Sequence, residues 1–444
     1  MNLEFRRCSR LVLVAAWVMA AMDGATRAQA AQAPAKYSLT LSTDRADALY
    51  RKGQKVGFSV RLLLDGQPVR DAEVGWTISK DGVPPISTGM LKLTEGAGTV
   101  FGKLKEPGFL QCRVTFPTPD GATLSAVAGA GVSPWRIRPS LPAPADFDAF
   151  WSAQTKQLAG VPVNAKLTPV EARAGGVECC DLQADCVGAP VSGYYARPRE
   201  ARARSLPIIL TVHGAGVRSA ELETAADWAR QGFLAADINA HGIPNGKPDS
   251  YYAELAKGSL KEYRTQGRES RDTIYFRGMF LRLVRAIDFL TAQPEWDGRT
   301  VIVYGSSQGG AQAIVAAGLD PRVTFFGAAV PAMCDHTGSV VGRVNGWPKL
   351  VPGDTDGLDG KVRETARYYD AVNFASRTRA AGIMSVGFID NICPPTTVYA
   401  AYNALKGKKE IFNDPPSRHA NSASAKAAMR KALFRHLERM NRSK

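Results

Sequence analysis

Two adjacent serines, Ser306 and Ser307, stand among glycines in the stretch VYGSSQGGAQ at residues 303–312. A serine on a sharp strand-to-helix turn can present its hydroxyl to an acyl carbonyl, provided the positions two before and two after it are small. Around Ser307 those positions are Gly305 and Gly309. Around Ser306 they would be Tyr304 and Gln308, whose side chains would collide. Ser307 is therefore the candidate nucleophile. At its free pKa a serine is a poor one, so it needs a neutral imidazole to take its proton and a carboxylate to orient that imidazole.

The chain has five histidines, which allows an elimination. On a parallel βα sheet with a nucleophile turn, the partners follow in the order serine, acid, histidine. His213 and His241 precede the serine. His336 comes too early for an acid to precede it, and His436 falls inside an expected terminal helix. His419 stands in a loop between the last strand and the last helix and is the expected base. The acid should end the preceding strand, where an apolar run at 385–389 leads into Asp390. Asp370 lies in a helical stretch, and Asp414 is too near the histidine in sequence. Two backbone amides are expected to hold the oxyanion: that of Gln308, next to the nucleophile, and that of Ala215, in the loop HGAG (213–216) after an earlier strand. His213 is expected to shape that loop.

These residues need a particular scaffold. From 147 onward, strands and helices alternate: strands at 208–212, 233–238, 301–304, 325–330 and 383–389, and helices at 220–231, 278–293, 310–319 and 425–440, with Ser219 as the expected cap of the first. This order predicts a mostly parallel sheet covered by helices, with catalytic residues on loops at the carboxyl ends of its strands. Residues 37–132 differ. Their apolar positions alternate, as in Leu110, Cys112, Val114 and Phe116, and Asp-Gly pairs at 65, 81 and 120 punctuate the runs. They predict an all-β, immunoglobulin-like sandwich, followed by a proline-rich linker at 133–145 and the catalytic domain at 146–444.

The first thirty residues predict a removable export signal. Arg6, Arg7 and Arg10 precede a twelve-residue apolar stretch, too short to span a bilayer, and Ala28 and Ala30 supply the small residues of a cleavage site. The mature protein is expected to be secreted or periplasmic, with no membrane anchor. Removing residues 1–30, which hold four arginines and two acidic residues, lowers the net charge from +15 to +13. The basic residues are scattered rather than gathered in a recognition motif, so no nucleic-acid partner is expected. Six cysteines follow the signal, and fifteen pairings are open to them. The most local joins Cys179 or Cys180 to Cys186. No second cysteine or histidine pair stands at ligand spacing, so no metal site is expected.

GSSQGG (305–310), DPRV (320–323), PAMCD (331–335), DNICPP (390–395), AAYN (400–403) and His419 together resemble the acetyl xylan esterase / cephalosporin C deacetylase family, with FDAFW (147–151) similar to its entry helix. The resemblance covers about residues 145–440. It implies an α/β-hydrolase fold and a cofactor-free serine carboxylic-ester hydrolase that removes acetyl groups from xylose-based oligosaccharides. It also implies a homo-oligomer, a triad of Ser307, Asp390 and His419, and an oxyanion hole of the Ala215 and Gln308 amides. The sequence departs from the family at Ala240-His241-Gly242-Ile243-Pro244, where Arg-Gly-Gln is usual, and at Ala420, where glutamate is usual. Near that first departure, His241 is open to two readings: a substrate contact that replaces a lost polar group, or a histidine packed as part of the structure. The same triad would serve another small ester or a bulkier acyl group, whereas a carbohydrate-binding protein on this scaffold would not require all three residues.

Overall fold

Alternating apolar residues at the amino-terminal end build two sheets. The computed structural model describes residues 36–173, 175–352 and 358–442, so the export segment expected at 1–30 lies outside the described residues. The strands are β1 (Tyr37–Thr43), β2 (Leu49–Tyr50), β3 (Val56–Leu64), β4 (Gln67–Pro68), β5 (Glu73–Lys80), β6 (Pro85–Lys92), β7 (Ala97–Gly102), β8 (Gly108–Pro117) and β9 (Thr123–Val132). One sheet has the order β1-β3-β4 with β7 also paired to β3, and the second has the order β2-β9-β8-β5-β6. Every pairing but β2–β9 is antiparallel. Asp65 and Gly66 both have positive φ (49° and 82°), as a two-residue hairpin turn requires. Phe58 and Val100 from the first sheet and Ile78, Leu110 and Val114 from the second share one apolar cluster.

The second region holds a nine-stranded sheet. Its strands are β10 (Lys166–Val170), β11 (Val177–Ala184), β12 (Val191–Pro198), β13 (Leu206–Val212), β14 (Leu234–Ile238), β15 (Trp296–Ser306), β16 (Phe325–Ala329), β17 (Ala381–Gly387) and β18 (Lys409–Asp414), in the order β10-β11-β12-β14-β13-β15-β16-β17-β18. From β14 to β18 every neighbour is parallel. The helices are α1 (Phe147–Ala159), α2 (Leu222–Arg230), α3 (Asp249–Lys257), α4 (Phe276–Thr291), α5 (Gln308–Leu319), α6 (Leu358–Tyr368), α7 (Ala371–Ala375), α8 (Pro395–Ala404) and α9 (Ala423–Arg442). They cover both faces. Ile208 and Leu210 of β13 join a cluster with α4, α5 and α8, while Ile209 between them joins another with α2 and α9. Burial on both faces explains why these strands read as continuous apolar runs. The expected α/β class and mostly parallel, helix-covered sheet are present.

Some local expectations are corrected. The helix expected from 220 begins at Leu222, with Glu221 at its cap. Ser219 stands too far upstream to reach the first turn; its hydroxyl donates to the Ala220 carbonyl and accepts from the Gly246 amide. The helix expected at 310–319 starts at Gln308, two residues early, because Ser307 hands the chain directly to it. All six cysteines among the described residues are free. Cys179 and Cys180 lie in the extended strand β11, and Cys186 lies beyond its end. At about 3.3 Å per residue, an extended chain carries them too far apart for a disulfide.

Candidate active site

At the end of β15 the backbone of Ser307 adopts φ 58° and ψ −119°, a conformation that costs a non-glycine residue about 1–3 kcal/mol. The surrounding packing compensates for it. The Ser307 amide donates to the Ala329 carbonyl at 2.8 Å, and its carbonyl accepts from Ala311 and Ala332 at 3.0 Å each. The glycines are required by contact: a Cβ on Gly305 would lie 2.4 Å from the Gly309 carbonyl carbon, and one on Gly309 would lie 2.1 Å from the Val212 carbonyl oxygen. The turn therefore packs against the end of β13, beside the loop 213–216.

Two other strand ends supply what surrounds the hydroxyl. His419 Nε2 lies 2.9 Å from Ser307 Oγ, and His419 Nδ1 lies 2.8 Å from Asp390 Oδ2. Asp390 follows β17, and His419 follows β18. The Asp390 side chain is 1% exposed and that of His419 is 24% exposed, so the acid is sealed in while the imidazole edge meets solvent. Asp390 Oδ1 accepts from the amides of Ile392 at 2.8 Å and Cys393 at 2.9 Å. With both oxygens engaged, the carboxylate can orient only one edge of the imidazole. Nδ1 as donor to Asp390 leaves Nε2 free to accept the serine proton.

Gly214 lies against Ser307: a Cβ there would sit 3.5 Å from the Ser307 Cβ. Among the described residues, neither the Ala215 amide nor the Gln308 amide is spent on a hydrogen bond. A tyrosine that the sequence did not single out connects the two segments. Tyr263 Oη accepts from the Gly216 amide at 3.3 Å and donates to Gln308 Oε1 at 3.1 Å. Tyr263 lies between α3 and α4 in a turn-rich stretch without a motif, so no local signal could have found it. His213 is buried, and its Nδ1 meets the Gly214 carbonyl at 2.6 Å. Burial lowers its pKa to about 4.

His241 is 3% exposed. Its Nδ1 meets Tyr275 Oη at 2.7 Å and its Nε2 meets the Gly216 carbonyl at 3.1 Å. Its ring packs on Tyr263 with centroids 4.7 Å apart, and burial lowers its pKa to about 3. It is thus a neutral ring engaged from within the protein, holding the loop that carries Ala215. His336 is buried, and His436 lies on the inner face of α9 with Nε2 3.1 Å from Thr324 Oγ1.

Cys393 also borders the serine. Burial raises its thiol well above the ordinary range, so it stays protonated and is no rival nucleophile. Asp390, Cys393 and His419 bring one potential metal-ligand atom each to within 4.8 Å of one another, the one such group among the described residues. Two of the three already bond to each other. Cavity volume does not locate this chemistry: a surface cavity of about 810 Å³ runs beside Trp135, Arg138 and Asn403 and touches none of Ser307, Asp390 or His419.

The acetyl xylan esterase (AXE1) family matches residues 135–436. The acetyl esterase Axe7A of Xylanibacter ruminicola is 34% identical over 382 residues, covering 85% of each chain. An overlap of that length must reach back into the amino-terminal sheets. An acetyl xylan esterase from Paenibacillus sp. R4 superimposes with a TM-score of 0.58 at 29% identity, covering 68% of this chain and 98% of its own. Acetyl xylan esterase 1 from Thermoanaerobacterium sp. has the same TM-score at 24% identity, covering 69% and 97%, and shares the fold.

Proposed function

The chain belongs to the acetyl xylan esterase family and is a carboxylic-ester hydrolase, and on that premise we propose that it removes acetyl groups from xylose-based oligosaccharides through Ser307, His419 and Asp390. The observation that carries this reading is the imidazole of His419 between Ser307 Oγ at 2.9 Å and Asp390 Oδ2 at 2.8 Å.

In the proposed reaction Ser307 Oγ attacks the acetyl carbonyl carbon while His419 Nε2 takes the hydroxyl proton. Asp390 stabilises the resulting imidazolium, and the amides of Ala215 and Gln308 face the oxyanion. The bond from the carbonyl carbon to the sugar oxygen breaks, and that oxygen leaves with the proton from His419. Water then attacks the acetyl-serine, giving one proton to His419. Acetic acid departs as Ser307 recovers that proton, and it ionises to acetate in solution.

Three further readings belong to the same proposal. Residues 37–132 are an immunoglobulin-like sandwich set off by 133–145 from a catalytic domain at 146–444. The protein is exported to the periplasm or the medium, its partner there being an acetylated oligosaccharide. It assembles as a homo-oligomer. Among the described residues no helix is long and apolar enough to cross a membrane.

Acetate release from acetylated xylo-oligosaccharides and from an activated acetyl ester tests the chemistry. Ser307→Ala is expected to reduce turnover on both by on the order of 10⁴–10⁶ while the fold is retained. Cleavage of the activated ester alone would place the natural substrate elsewhere. A folded wild type inactive on both would end the reading.

A further inference from the structure

The acid of the site sits in a loop gripped from outside the nine-stranded sheet and its helices. Strands β8 and β9 of the amino-terminal sheets, with the turn after β5, press on residues on either side of Asp390. Gln111 of β8, itself buried, donates from Nε2 to Asn391 Oδ1 at 3.1 Å and to the Phe388 carbonyl at 3.4 Å. Phe109 of the same strand meets the Phe388 ring edge-on, with centroids 4.9 Å apart. Gly129 of β9 lies so close that a Cβ there would be 2.5 Å from the Phe388 carbonyl oxygen. At the tip after β5, the fully buried Asp81 accepts from Thr396 Oγ1 at 2.7 Å, in the first turn of α8. A Cβ on Gly82 would lie 2.7 Å from Asn391 Oδ1.

We propose that the amino-terminal sheets act as a clamp on the Asp390 loop, with Gln111 as the principal positioning residue. The inference rests on reading Asp390 as the acid of the triad. Within the loop itself, Asp390 Oδ1 is fixed by the Ile392 and Cys393 amides. Those amides belong to the segment that the clamp holds by Asn391 and Thr396, while Phe388 anchors the other side. Displacing the loop by a fraction of an ångström lengthens the 2.8 Å contact to His419 without removing any reacting group. The solved relatives from Paenibacillus and Thermoanaerobacterium cover 98% and 97% of their own chains with only 68% and 69% of this one. Those two structures leave about a third of this chain without a counterpart.

The test compares Gln111→Ala, Gly129→Ala and Asp81→Asn with the wild-type chain. Gln111→Ala removes both hydrogen bonds of the side-chain amide. Gly129→Ala leaves every hydrogen bond in place but drives a methyl into the Phe388 carbonyl. Asp81→Asn keeps an acceptor for Thr396 and serves as the conservative variant. The first two are expected to lower kcat on an activated acetyl ester by roughly 10–10²-fold with KM little changed. The acid limb of their pH–rate profiles should move to lower pH, because an imidazolium further from its carboxylate is less stabilised. Asp81→Asn should stay near wild type in both respects. The downfield proton resonance of the His419 Nδ1–H···Asp390 bond reads the same geometry without substrate. It should weaken or shift in Gln111→Ala and Gly129→Ala. Variants that lose thermal stability but keep the wild-type resonance and acid limb would overturn the clamp. An inactive wild type would count against the esterase reading, and the resonance would still decide this one.

Discussion

The geometry of single residues explains why Ser307 and not Ser306 faces His419: a side chain at Gly305 or Gly309 would overlap backbone atoms. The less visible residue is Tyr263. Its hydroxyl ties the Gly216 amide to the Gln308 side chain, and so couples the two segments whose amides face the proposed oxyanion. Removing one full oxyanion donor costs on the order of 10²–10³ in rate. Tyr263→Phe loosens the hole without deleting a donor, so kcat should fall about tenfold while KM changes little. Steady-state kinetics on an activated acetyl ester check this, and an unchanged kcat would reduce the hydroxyl to a packing contact.

At the scale of elements, the turn from β15 into α5 works because β13 ends beside it. Gly309→Ala would put a methyl 2.1 Å from the Val212 oxygen and 2.8 Å from the His213 oxygen. Both atoms are backbone at the root of the loop carrying Ala215, so neither can rotate away. The expected cost is about 1–3 kcal/mol of stability from overpacking, with kcat down by roughly 10²-fold as the loop is displaced. Urea unfolding beside the ester assay separates the two effects. A variant with wild-type kcat would show that the loop can move without consequence.

Across the whole molecule, buried titratable groups set the response to pH. Burial lowers His213 and His436 to about 4 and His241 and His336 to about 3, so all four remain neutral in the folded chain at mildly acidic pH. The unfolded chain takes up protons on these residues below about 6.5. It then binds more protons than the folded chain, and stability falls as the pH drops from about 6.5 toward 4. Asp237 and Asp370, pushed up to about 7 by burial, act in the opposite sense, holding protons in the fold that the unfolded chain releases. The slope of each histidine is therefore best read from a single variant. His436→Gln should reduce the pH slope of the unfolding free energy by about 1 kcal/mol per pH unit between pH 6 and 4.5. Urea titrations at several pH values measure it, and an unchanged slope would mean that His436 takes up its proton in the fold.

What the sequence determined by itself was local or ordered along the chain. The small residues two places either side of Ser307 reflect contacts within one turn. The period-2 and strand–helix alternations reflect burial on one or both faces of a sheet, and the order serine, acid, histidine follows from sheet topology. The meeting of Ser307, Asp390 and His419 could be reasoned out on those grounds. Tertiary structure decided what depends on distant segments meeting. Gln111 reaches Asn391 across 280 residues, and Tyr263 reaches Gln308 across 45. Such pairs leave no period or spacing in the chain, because a hydrogen bond needs only two atoms brought together by the fold. The same reason left His241 open between a substrate contact and a packed histidine until the fold was known. Its neighbours in the chain are those of a loop near substrate, while its ring nitrogens are engaged by Tyr275 and Gly216, which only the packed structure brings to it.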